Sequence, residues 1–454
     1  MSLKLFNTLG RKKQLFKPLD KKEVKMYICG PTVYWYQHIG NLRSYIFADV
    51  LKRVLLYNNF KVKQVINVTD VGHLTSDADE GEDKMEKAAA REGKKAQDIA
   101  DYYFKIFKDD LEKLNIIEPW KWTKATEHIQ EQIDLILILE KKGFTYKTND
   151  GIYFDTSQFK DYGKLALLKK EGLQAGKRIA VGDKKNSTDF ALWKFSGGEK
   201  RQQEWGSPWG VGFPGWHIEC SAMAVKYLGK QFDIHTGGED HIPVHHTNEI
   251  AQSEAAFGKK PWVKFWLHGS FLTFKGEKVS KSKGGLFTLS ELEEKGFSAA
   301  DYRYFCLTGH YRSQLEFSLE NLTSAKNSLQ RLKNIIAELK DEGKINQKYL
   351  KKFEQAINDD LNMPHALEVL WEMVRDKNAA GKKETIKKMD EVFGLNILEK
   401  EVIKIPEDVL QLVKEREKAR EKKDWKKADE LRQKISEKGF KIDDSGQQTK
   451  VSKI

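Results

Sequence analysis

The tetrapeptide His38–Asn41 (His-Ile-Gly-Asn) combines residue types that could bind the phosphates of a nucleotide. It lies between a predicted strand and a predicted helix, and the free N–H groups and dipole of a helix N-terminus attract anions. Gly40 would let a nucleotide approach the backbone, and His38 could donate a hydrogen bond to a phosphate oxygen in a transition state. The alternative is a loop in which His38 only caps the helix, and the tetrapeptide alone does not separate the two.

A second segment with phosphate-binding chemistry covers residues 278–282 (Lys-Val-Ser-Lys-Ser), which Lys283 and two glycines follow. Closely spaced lysines and hydroxyl groups beside glycines suit a mobile loop that neutralises a triphosphate. Taken alone, this segment is more simply a basic surface loop. The two segments therefore become informative only in combination.

Four side chains that are far apart in the sequence could form a metal site. Cys29 follows the first predicted strand, and Cys220 lies in a Pro-Gly-Trp-His-Ile-Glu-Cys segment. His245 and Glu249 are four residues apart, so they share one face of a helix and could both reach one ion. Two thiolates, an imidazole and a carboxylate form a plausible zinc set. From spacing alone, two distant cysteines are more often core residues, and Cys306, in an apolar stretch, is most simply a packed thiol.

The elements that must position these residues begin with a predicted parallel βαβ unit. Lys25–Cys29 is short, apolar and β-prone and ends at Gly-Pro, and Val62–Val68 is the next predicted strand. Between them, apolar residues at 46, 50 and 54 predict one buried face of a helix over 42–57. Strand, helix and strand at this spacing predict a parallel sheet.

A later group of elements predicts that the same sheet continues after an insertion. Gln231–His235 is a predicted buried strand, and Asn248–Phe257 is a predicted helix. The turn between them, Gly237-Gly238-Glu239-Asp240, follows the carboxyl end of the strand, where such folds bind nucleotides, so we expect it to contact adenosine. The intervening glycine-rich segment over 163–182 predicts a mixed insertion with turns.

Composition limits the class of protein. The 454 residues carry a formal net charge of +12, and 39% are hydrophobic. A basic surface attracts polyanions such as nucleic acid, although a lysine-rich proteome would produce the same charge. Three scattered cysteines argue against a disulfide framework and favour a reducing compartment. Residues 1–10 lack the apolar region of a signal peptide, and no stretch approaches the roughly 18 apolar residues of a membrane span, so we expect a cytoplasmic protein that does not associate with membranes.

In combination, the two phosphate-binding segments resemble the paired HIGH and KMSKS signatures of class I aminoacyl-tRNA synthetases, in the same order and context. Asn41 replaces the last histidine of the first signature but can still donate a hydrogen bond. Val279 replaces the methionine of the second signature, where we expect a packing contact. The residues that the resemblance implies are His38, Asn41, Lys278 and Lys281 for stabilising phosphate charge, with Gly30, Gly40, Gly237, Gly238 and Asp240 beside ATP.

Four further segments resemble the motifs of the cysteinyl-tRNA synthetase family, and the resemblance runs from about Leu5 to the end of the chain. They are 29–34 (Cys-Gly-Pro-Thr-Val-Tyr), 189–194 (Asp-Phe-Ala-Leu-Trp-Lys), 215–223 (Gly-Trp-His-Ile-Glu-Cys-Ser-Ala-Met) and 245–252 (His-His-Thr-Asn-Glu-Ile-Ala-Gln). Carried over residue by residue, the zinc ligands fall on Cys29, Cys220, His245 and Glu249, the substrate-pocket residues on Thr69, Trp216 and His235, and the ATP-loop lysine on Lys281.

The chain departs from the family pattern at a few positions. Pro243-Val244 stands where Phe-Pro is usual, Thr247 stands where Glu is common, and 71–76 differs from the commonest form. Three histidines therefore remain alternative metal ligands or supports for the ligands: His73, His241 and His246.

Pattern and resemblance together imply an α/β fold: a split Rossmann-like catalytic domain with a parallel sheet and an insertion, then a helical bundle and a small C-terminal domain. The expected ranges are 1–119 and 205–268 for the two catalytic halves, 120–204 for the connective insertion, 269–318 for the lysine-loop and stem-contact region, 319–398 for a helical tRNA-binding bundle, and 399–454 for an anticodon-binding domain. In the last range, Val409–Gly439 is predicted as one helix, followed by a frayed tail.

The resemblance implies an enzyme that activates L-cysteine with ATP and transfers it to tRNA(Cys). One Zn²⁺ per chain would recognise the thiol, Mg²⁺ would accompany ATP, and we expect a monomer. Two alternatives stay open: a ligase that joins cysteine to a sugar amine, as in mycothiol synthesis, and a non-catalytic RNA-binding paralogue. The basic C-terminal region argues against the first alternative, and the intact signature segments argue against the second.

Overall fold

The chain forms two compact units in the computed structural model, residues 1–397 and residues 398–454. The structure describes residues 2–72, 84–168, 184–198, 201–274, 277–278, 287–340, 343–399, 406–445 and 448–453. Within these ranges, no helix is both long enough and apolar enough to cross a bilayer.

A parallel sheet forms the centre of the first unit. The first elements of the chain are β1 (Lys4–Asn7), β2 (Lys12–Leu15), β3 (Glu23–Ile28), α1 (Ile39–Tyr57), β4 (Lys61–Val68), α2 (Lys84–Glu92), α3 (Ala96–Lys113) and β5 (Lys121–Lys124). β1 and β2 form an antiparallel hairpin, whereas β3 pairs with β4 and β4 pairs with β5 in parallel. Ile46, Val50 and Val54 are buried on α1, so the predicted βαβ unit is confirmed.

An insertion with its own sheet separates the two halves of the parallel sheet. Its elements are α4 (Ile129–Lys141), β6 (Thr145–Lys147), β7 (Gly151–Phe154), β8 (Phe190–Phe195), β9 (Trp205–Ser207) and β10 (Gly210–Pro214). The strands pair antiparallel in the order β6-β7-β8-β10-β9. Because β10 pairs with β8, this sheet extends beyond the boundary expected at 204, and β5 at 121–124 belongs to the parallel sheet.

The second half of the parallel sheet completes the central layer. Its elements are α5 (Trp216–Leu228), β11 (Phe232–Gly238), α6 (His245–Phe257) and β12 (Val263–Gly269). β11 pairs with β3, which produces the order β12-β11-β3-β4-β5 with every pair parallel. The carboxyl ends of β3 and β11 therefore meet at one edge, where open α/β sheets bind ligands.

The rest of the first unit is mainly helical. Its elements are β13 (Leu272–Phe274), β14 (Glu277–Lys278), α7 (Leu289–Glu294), α8 (Ala299–Leu307), β15 (Leu315–Glu316), α9 (Leu319–Ala337), α10 (Gln347–Asn358), α11 (Met363–Arg375) and α12 (Lys382–Phe393). β13 lies between β14 and β15 in a small sheet. The apolar residues of α9 to α12 share one core with α1, and the buried guanidinium of Arg303 on α8 lies 2.5 Å from Asp49 Oδ2 on α1. The elements from Leu319 to Phe393 are all helices, but α7 and α8 already precede them in the same unit.

The second unit contains two helices and a hairpin. They are α13 (Glu407–Glu421), α14 (Trp425–Glu437), β16 (Phe440–Ser445) and β17 (Gln448–Lys453). The prediction of one helix over 409–439 is wrong, because Lys423 has a left-handed φ of 58° and the Asp424 side chain caps α14 by accepting from Lys427 N. The prediction of a frayed tail is also wrong, because β16 and β17 pair antiparallel and Phe440 packs in the core of this unit.

Candidate active site and metal centre

The candidate site is a cavity of about 260 Å³ at the carboxyl ends of β3, β4 and β11. The first turns of α1, α5 and α6 also contribute to its lining. The predicted site residues on this lining are Cys29, Gly30, His38, Asn41, Thr69, Trp216, Cys220, Gly237, Gly238, Asp240 and His245. These predicted nucleotide and metal residues share one cavity, because neighbouring strands of a parallel sheet end at the same edge. The predicted residues Gly40 and Glu249 are not part of its lining.

The four predicted metal ligands converge. One ligand atom from each of Cys29, Cys220, His245 and Glu249 lies within 4.8 Å of all the others. Cys29 directly follows β3, Cys220 lies in the second turn of α5, and the last two residues occupy one face of α6. His245 Nε2 lies 3.0 Å from Glu249 Oε1. Sulfur, nitrogen and carboxylate donors in a buried cluster suit Zn²⁺.

The pKa values of Cys220 and Glu249 are lowered, which favours the anionic forms that bind a cation. A hydrogen bond from Cys29 lowers the pKa of Cys220 to about 7, against the effect of burial, while burial and then Cys220 raise the pKa of Cys29. Burial opposes ionisation of Glu249, but His235 and His245 lower its pKa to about 2. Burial likewise opposes a charged His245, yet Glu249 and Cys220 raise its pKa to about 10. The proton on His245 therefore balances anionic neighbours that a bound metal cation would neutralise instead.

An overlapping donor set involves one of the alternative histidines. Ligand atoms of Cys29, His235, His246 and Glu249 also lie within 4.8 Å of one another. Cys29 Sγ is 3.2 Å from His246 Nε2, and burial lowers the pKa of His246, which keeps its ring neutral and able to bind a metal. His241 lines the cavity, and its buried Nδ1 has no hydrogen-bond partner among the described residues. His73 lies outside the described residues.

Two further histidines, neither of which was predicted from the sequence, support the cluster. His217 Nδ1 lies 3.0 Å from Nδ1 of His245, and His268 Nε2 lies 2.7 Å from Nδ1 of His246. Thr8 Oγ1 in turn lies 2.7 Å from His268 Nδ1. A second partner on a metal-binding imidazole fixes its orientation and tautomer. The available signal was the position of His268 at the carboxyl end of β12, but the place of β12 beside β11 was not predictable from the sequence.

Of the three residues expected to contact the amino acid, two line the cavity and one does not. Trp216 begins α5, and its ring centroid lies 4.4 Å from that of His245. Thr69 lines the cavity and donates to Glu219 Oε2 at 3.3 Å. His235 does not line the cavity: its Nε2 lies 2.9 Å from Glu249 Oε2, and its ring stacks on Trp266. In this arrangement His235 orients a predicted metal ligand.

The first predicted phosphate-binding segment forms the start of α1. His38 is the N-cap, and its Nδ1 accepts a hydrogen bond from Asn41 N at 3.2 Å. The capping geometry that the sequence left as an alternative is therefore present, and both side chains also line the cavity. A Cβ at Gly40 would lie 3.0 Å from the His38 ring, so glycine is favoured here. Capping and a contact with phosphate at the helix N-terminus are compatible.

Two predicted nucleotide-binding glycines are also required by the protein itself. A Cβ at Gly30 would lie 1.6 Å from Asn67 O, and Gly30 N donates to Asn67 Oδ1 at 2.7 Å. A Cβ at Gly237 would lie 2.6 Å from the ring of His246. Close packing of strand ends and histidines therefore suffices to explain both glycines, whether or not a nucleotide approaches them.

The second phosphate-binding segment is described only at its flanks. Lys278 ends β14, its backbone pairing with Thr273, and its side chain is outside the described part. Lys281 lies outside the described residues. On the far side of the segment, Phe287 O accepts from Ile39 N at 2.9 Å, and Thr288 forms a bridge with His38. The chain on this side of the segment is thus joined to the first turn of α1.

Comparison with known proteins identifies the class. A structure of Mycobacterium tuberculosis methionyl-tRNA synthetase in complex with methionyl-adenylate has the same fold, with a TM-score of 0.58, covering 82% of this chain and 88% of that chain at 15% identity. A family model described as the tRNA synthetases class I (C) catalytic domain matches residues 15–327. Fold and family model together define a class I aminoacyl-tRNA synthetase.

Further matches narrow the class to one family. A DALR domain model matches residues 352–398, and a cysteinyl-tRNA ligase anticodon binding domain model matches residues 404–451. Cysteine–tRNA ligase 1 of Burkholderia lata is 50% identical, covering 98% of this chain and 96% of that protein. Cysteine–tRNA ligase of Treponema denticola is 45% identical and covers 100% of both. The chain therefore belongs to the cysteinyl-tRNA synthetase family.

Proposed function

We propose that the chain attaches L-cysteine to tRNA(Cys) using ATP, and that a zinc ion recognises the thiol of the amino acid. The observation that carries the zinc role is the buried convergence of Cys29, Cys220, His245 and Glu249. Membership of the family and the match to an anticodon binding domain support transfer RNA as the acceptor. We expect a monomer in the cytoplasm.

The physical problem for this activity is to distinguish cysteine from serine. The two differ by one atom, and shape differences in a pocket contribute only about 1–3 kcal/mol. Zinc, when held by these four side chains, would supply a position that accepts a thiolate and disfavours a neutral hydroxyl, because it binds sulfur strongly. His235 and His217 would orient the ligands Glu249 and His245, as their contacts indicate.

The reaction has two steps in this proposal. The carboxylate of cysteine attacks the α-phosphorus of ATP, which enters with Mg²⁺, and pyrophosphate leaves as cysteinyl-adenylate forms. A hydroxyl of the terminal ribose of transfer RNA then attacks the activated carbonyl, and AMP leaves. His38 and Asn41 at the start of α1, with Lys278 and Lys281, stabilise phosphate charge. The 237–240 turn contacts adenosine, and no nucleophilic side chain is needed.

Two assays test this proposal against its alternatives. Cysteine-dependent exchange of pyrophosphate into ATP requires only adenylate formation, whereas charging of tRNA(Cys) requires both steps. We expect activity in both assays. Exchange without charging would indicate an acceptor other than transfer RNA, such as the sugar amine of mycothiol synthesis. Binding of transfer RNA with neither activity would indicate a non-catalytic RNA-binding protein.

A further inference from the structure

Exposed aromatic rings lie at one rim of the cavity. Trp35 and Tyr36 belong to the cavity lining, and Trp35 is 37% exposed. Tyr102 on α3 is 46% exposed. The buried ring of Tyr103 supports all three, with centroid distances of 5.7 Å to Trp35 and 5.1 Å to each of the two tyrosines. These rings therefore form a supported surface and are not isolated exposed side chains.

Two cations lie beside these rings, and Glu92 pairs with both of them, which leaves one net positive charge among the three side chains. The Arg91 guanidinium lies 4.0 Å from the centroid of Trp35, and Lys94 Nζ lies 5.3 Å from that of Tyr102. Across residues 84–95 the sequence has five basic residues and two acidic ones, an excess of three positive charges. We refer to Trp35, Tyr36, Tyr102, Arg91 and Lys94 as the rim platform.

We propose that the rim platform stacks unpaired nucleobases of the single-stranded 3′ end of transfer RNA as that end enters the cavity. This inference rests on the proposed function. Sites for single-stranded nucleic acid combine aromatic faces with a cationic path for the backbone, because every base has a π-face and every linkage carries a negative charge. The terminal ribose must reach an adenylate inside the cavity, so the nucleotides that precede it must pass the rim.

A second exposed tryptophan provides a matched control. Trp120 is 54% exposed and has a cation over its ring, Lys63 Nζ at 4.1 Å, but it does not line the cavity. It contacts Tyr227, near the end of α5 opposite Trp216. At 1.5 Å per residue, the two ends of this part of α5 are about 16 Å apart. Trp120→Ala therefore shows the effect of removing an exposed tryptophan that has a neighbouring cation but does not line the cavity.

The experiment compares the binding of two transfer RNAs, one intact and one lacking its single-stranded 3′ nucleotides. The full-length protein is used as wild type, Trp35→Ala, Trp35→Phe and Trp120→Ala. We expect Trp35→Ala to weaken binding of the intact RNA about tenfold and to leave binding of the shortened RNA unchanged, since stacking contributes per base. Trp35→Phe should retain most of the affinity, and Trp120→Ala should match wild type with both RNAs.

Other outcomes overturn the inference without affecting the proposed function. Equal losses with both RNAs would place the contact on another part of transfer RNA. If Trp35→Ala bound both RNAs as tightly as wild type, the proposed role of the rim platform in RNA binding would be refuted. A raised KM for ATP in cysteine-dependent exchange would assign the ring to adenine of ATP. If wild type neither exchanges pyrophosphate nor charges transfer RNA, the proposed function fails instead.

A variant on the exposed cation tests the positive charge of the rim platform while the Trp35 ring is kept. Arg91→Ala should lower the salt dependence of intact-RNA binding by about one unit of slope, because one phosphate contact is lost. An unchanged slope together with unchanged affinity would contradict the role of the platform cations.

Discussion

His245 Nε2 and Glu249 Oε1 lie 3.0 Å apart across one turn of α6, with both side chains almost completely buried. The second oxygen of Glu249 lies 2.9 Å from His235 Nε2, so the carboxylate is held from two sides. A ligand that is fixed in this way loses little conformational freedom when a metal binds.

Zinc content tests the donor set directly. We expect one zinc ion per chain in the purified protein. His245→Ala should lower zinc affinity by more than the roughly 10–100-fold that loss of a supporting residue costs, because one of the four donors is lost. Elemental analysis after dialysis against a mild chelator provides the measurement. Cys306→Ala is the control, because this buried thiol on α8 is not part of either donor set and its zinc content should be unchanged. A metal-free preparation with full activity would contradict the prediction.

Discrimination against serine should depend on the same ligands. Wild type should favour cysteine over serine by about 10⁴-fold or more in pyrophosphate exchange, because the site engages one particular polar group. His245→Ala should reduce exchange with cysteine far more than exchange with serine, so the ratio between them should collapse. If the ratio survives loss of the metal, the shape of the pocket discriminates between the amino acids and the zinc role is refuted.

Removal of the second unit should separate the two reaction steps. A chain ending at residue 398 keeps the first unit and the cavity, so cysteine-dependent pyrophosphate exchange should be retained. The KM for transfer RNA in charging should rise about tenfold or more, since lysine contacts with phosphates are lost. Thermal unfolding of the shortened chain checks that the first unit remains folded. Unchanged charging kinetics would show that the second unit does not contact the RNA.

The buried ion pair between α1 and α8 should be important for stability. Asp49 Oδ2 is 2.5 Å from Arg303 Nη2 and 2.7 Å from Arg53 Nε, so Asp49→Ala leaves two guanidinium groups without this partner. Removing one partner of a buried pair costs about 3–5 kcal/mol in the free energy of unfolding, which urea denaturation measures. The control is Asp109→Ala, whose exposed pair with Lys105 should contribute roughly 0.3–0.5 kcal/mol.

The ion pairs of Asp49 should make the free energy of unfolding decrease at low pH. Burial opposes the charge of Asp49, but Arg303 and Arg53 lower its pKa below the ordinary value. A lowered native pKa means that the pair stabilises the fold at neutral pH and that this stabilisation is lost as the pH falls through the native pKa. Stability that did not fall more steeply with acid in wild type than in Asp49→Ala would contradict this assignment.

The parts of the fold that could be predicted were those set by sequence patterns within a single helix or strand. The four-residue spacing on α1 and the apolar runs of β3, β4 and β11 are local patterns, and they predicted the parallel sheet correctly. The break between α13 and α14 was missed, although Asp424 is a residue type that commonly caps helices. The alternation of the apolar residues Phe440 and Ile442 with polar residues was the available signal for the final hairpin.

The sequence by itself indicated which side chains could carry chemistry, because the two signature segments taken together and the His245–Glu249 spacing are patterns that can be recognised without knowledge of the fold. Only the tertiary structure decided that Cys29 lies 3.2 Å from His246, that His235 lies 2.9 Å from Glu249, and that His268 joins the cluster. These contacts connect strands and helices that are distant in the chain. They follow from the order of strands in the sheet, which depends on the packing of the whole first unit and not on any local pattern.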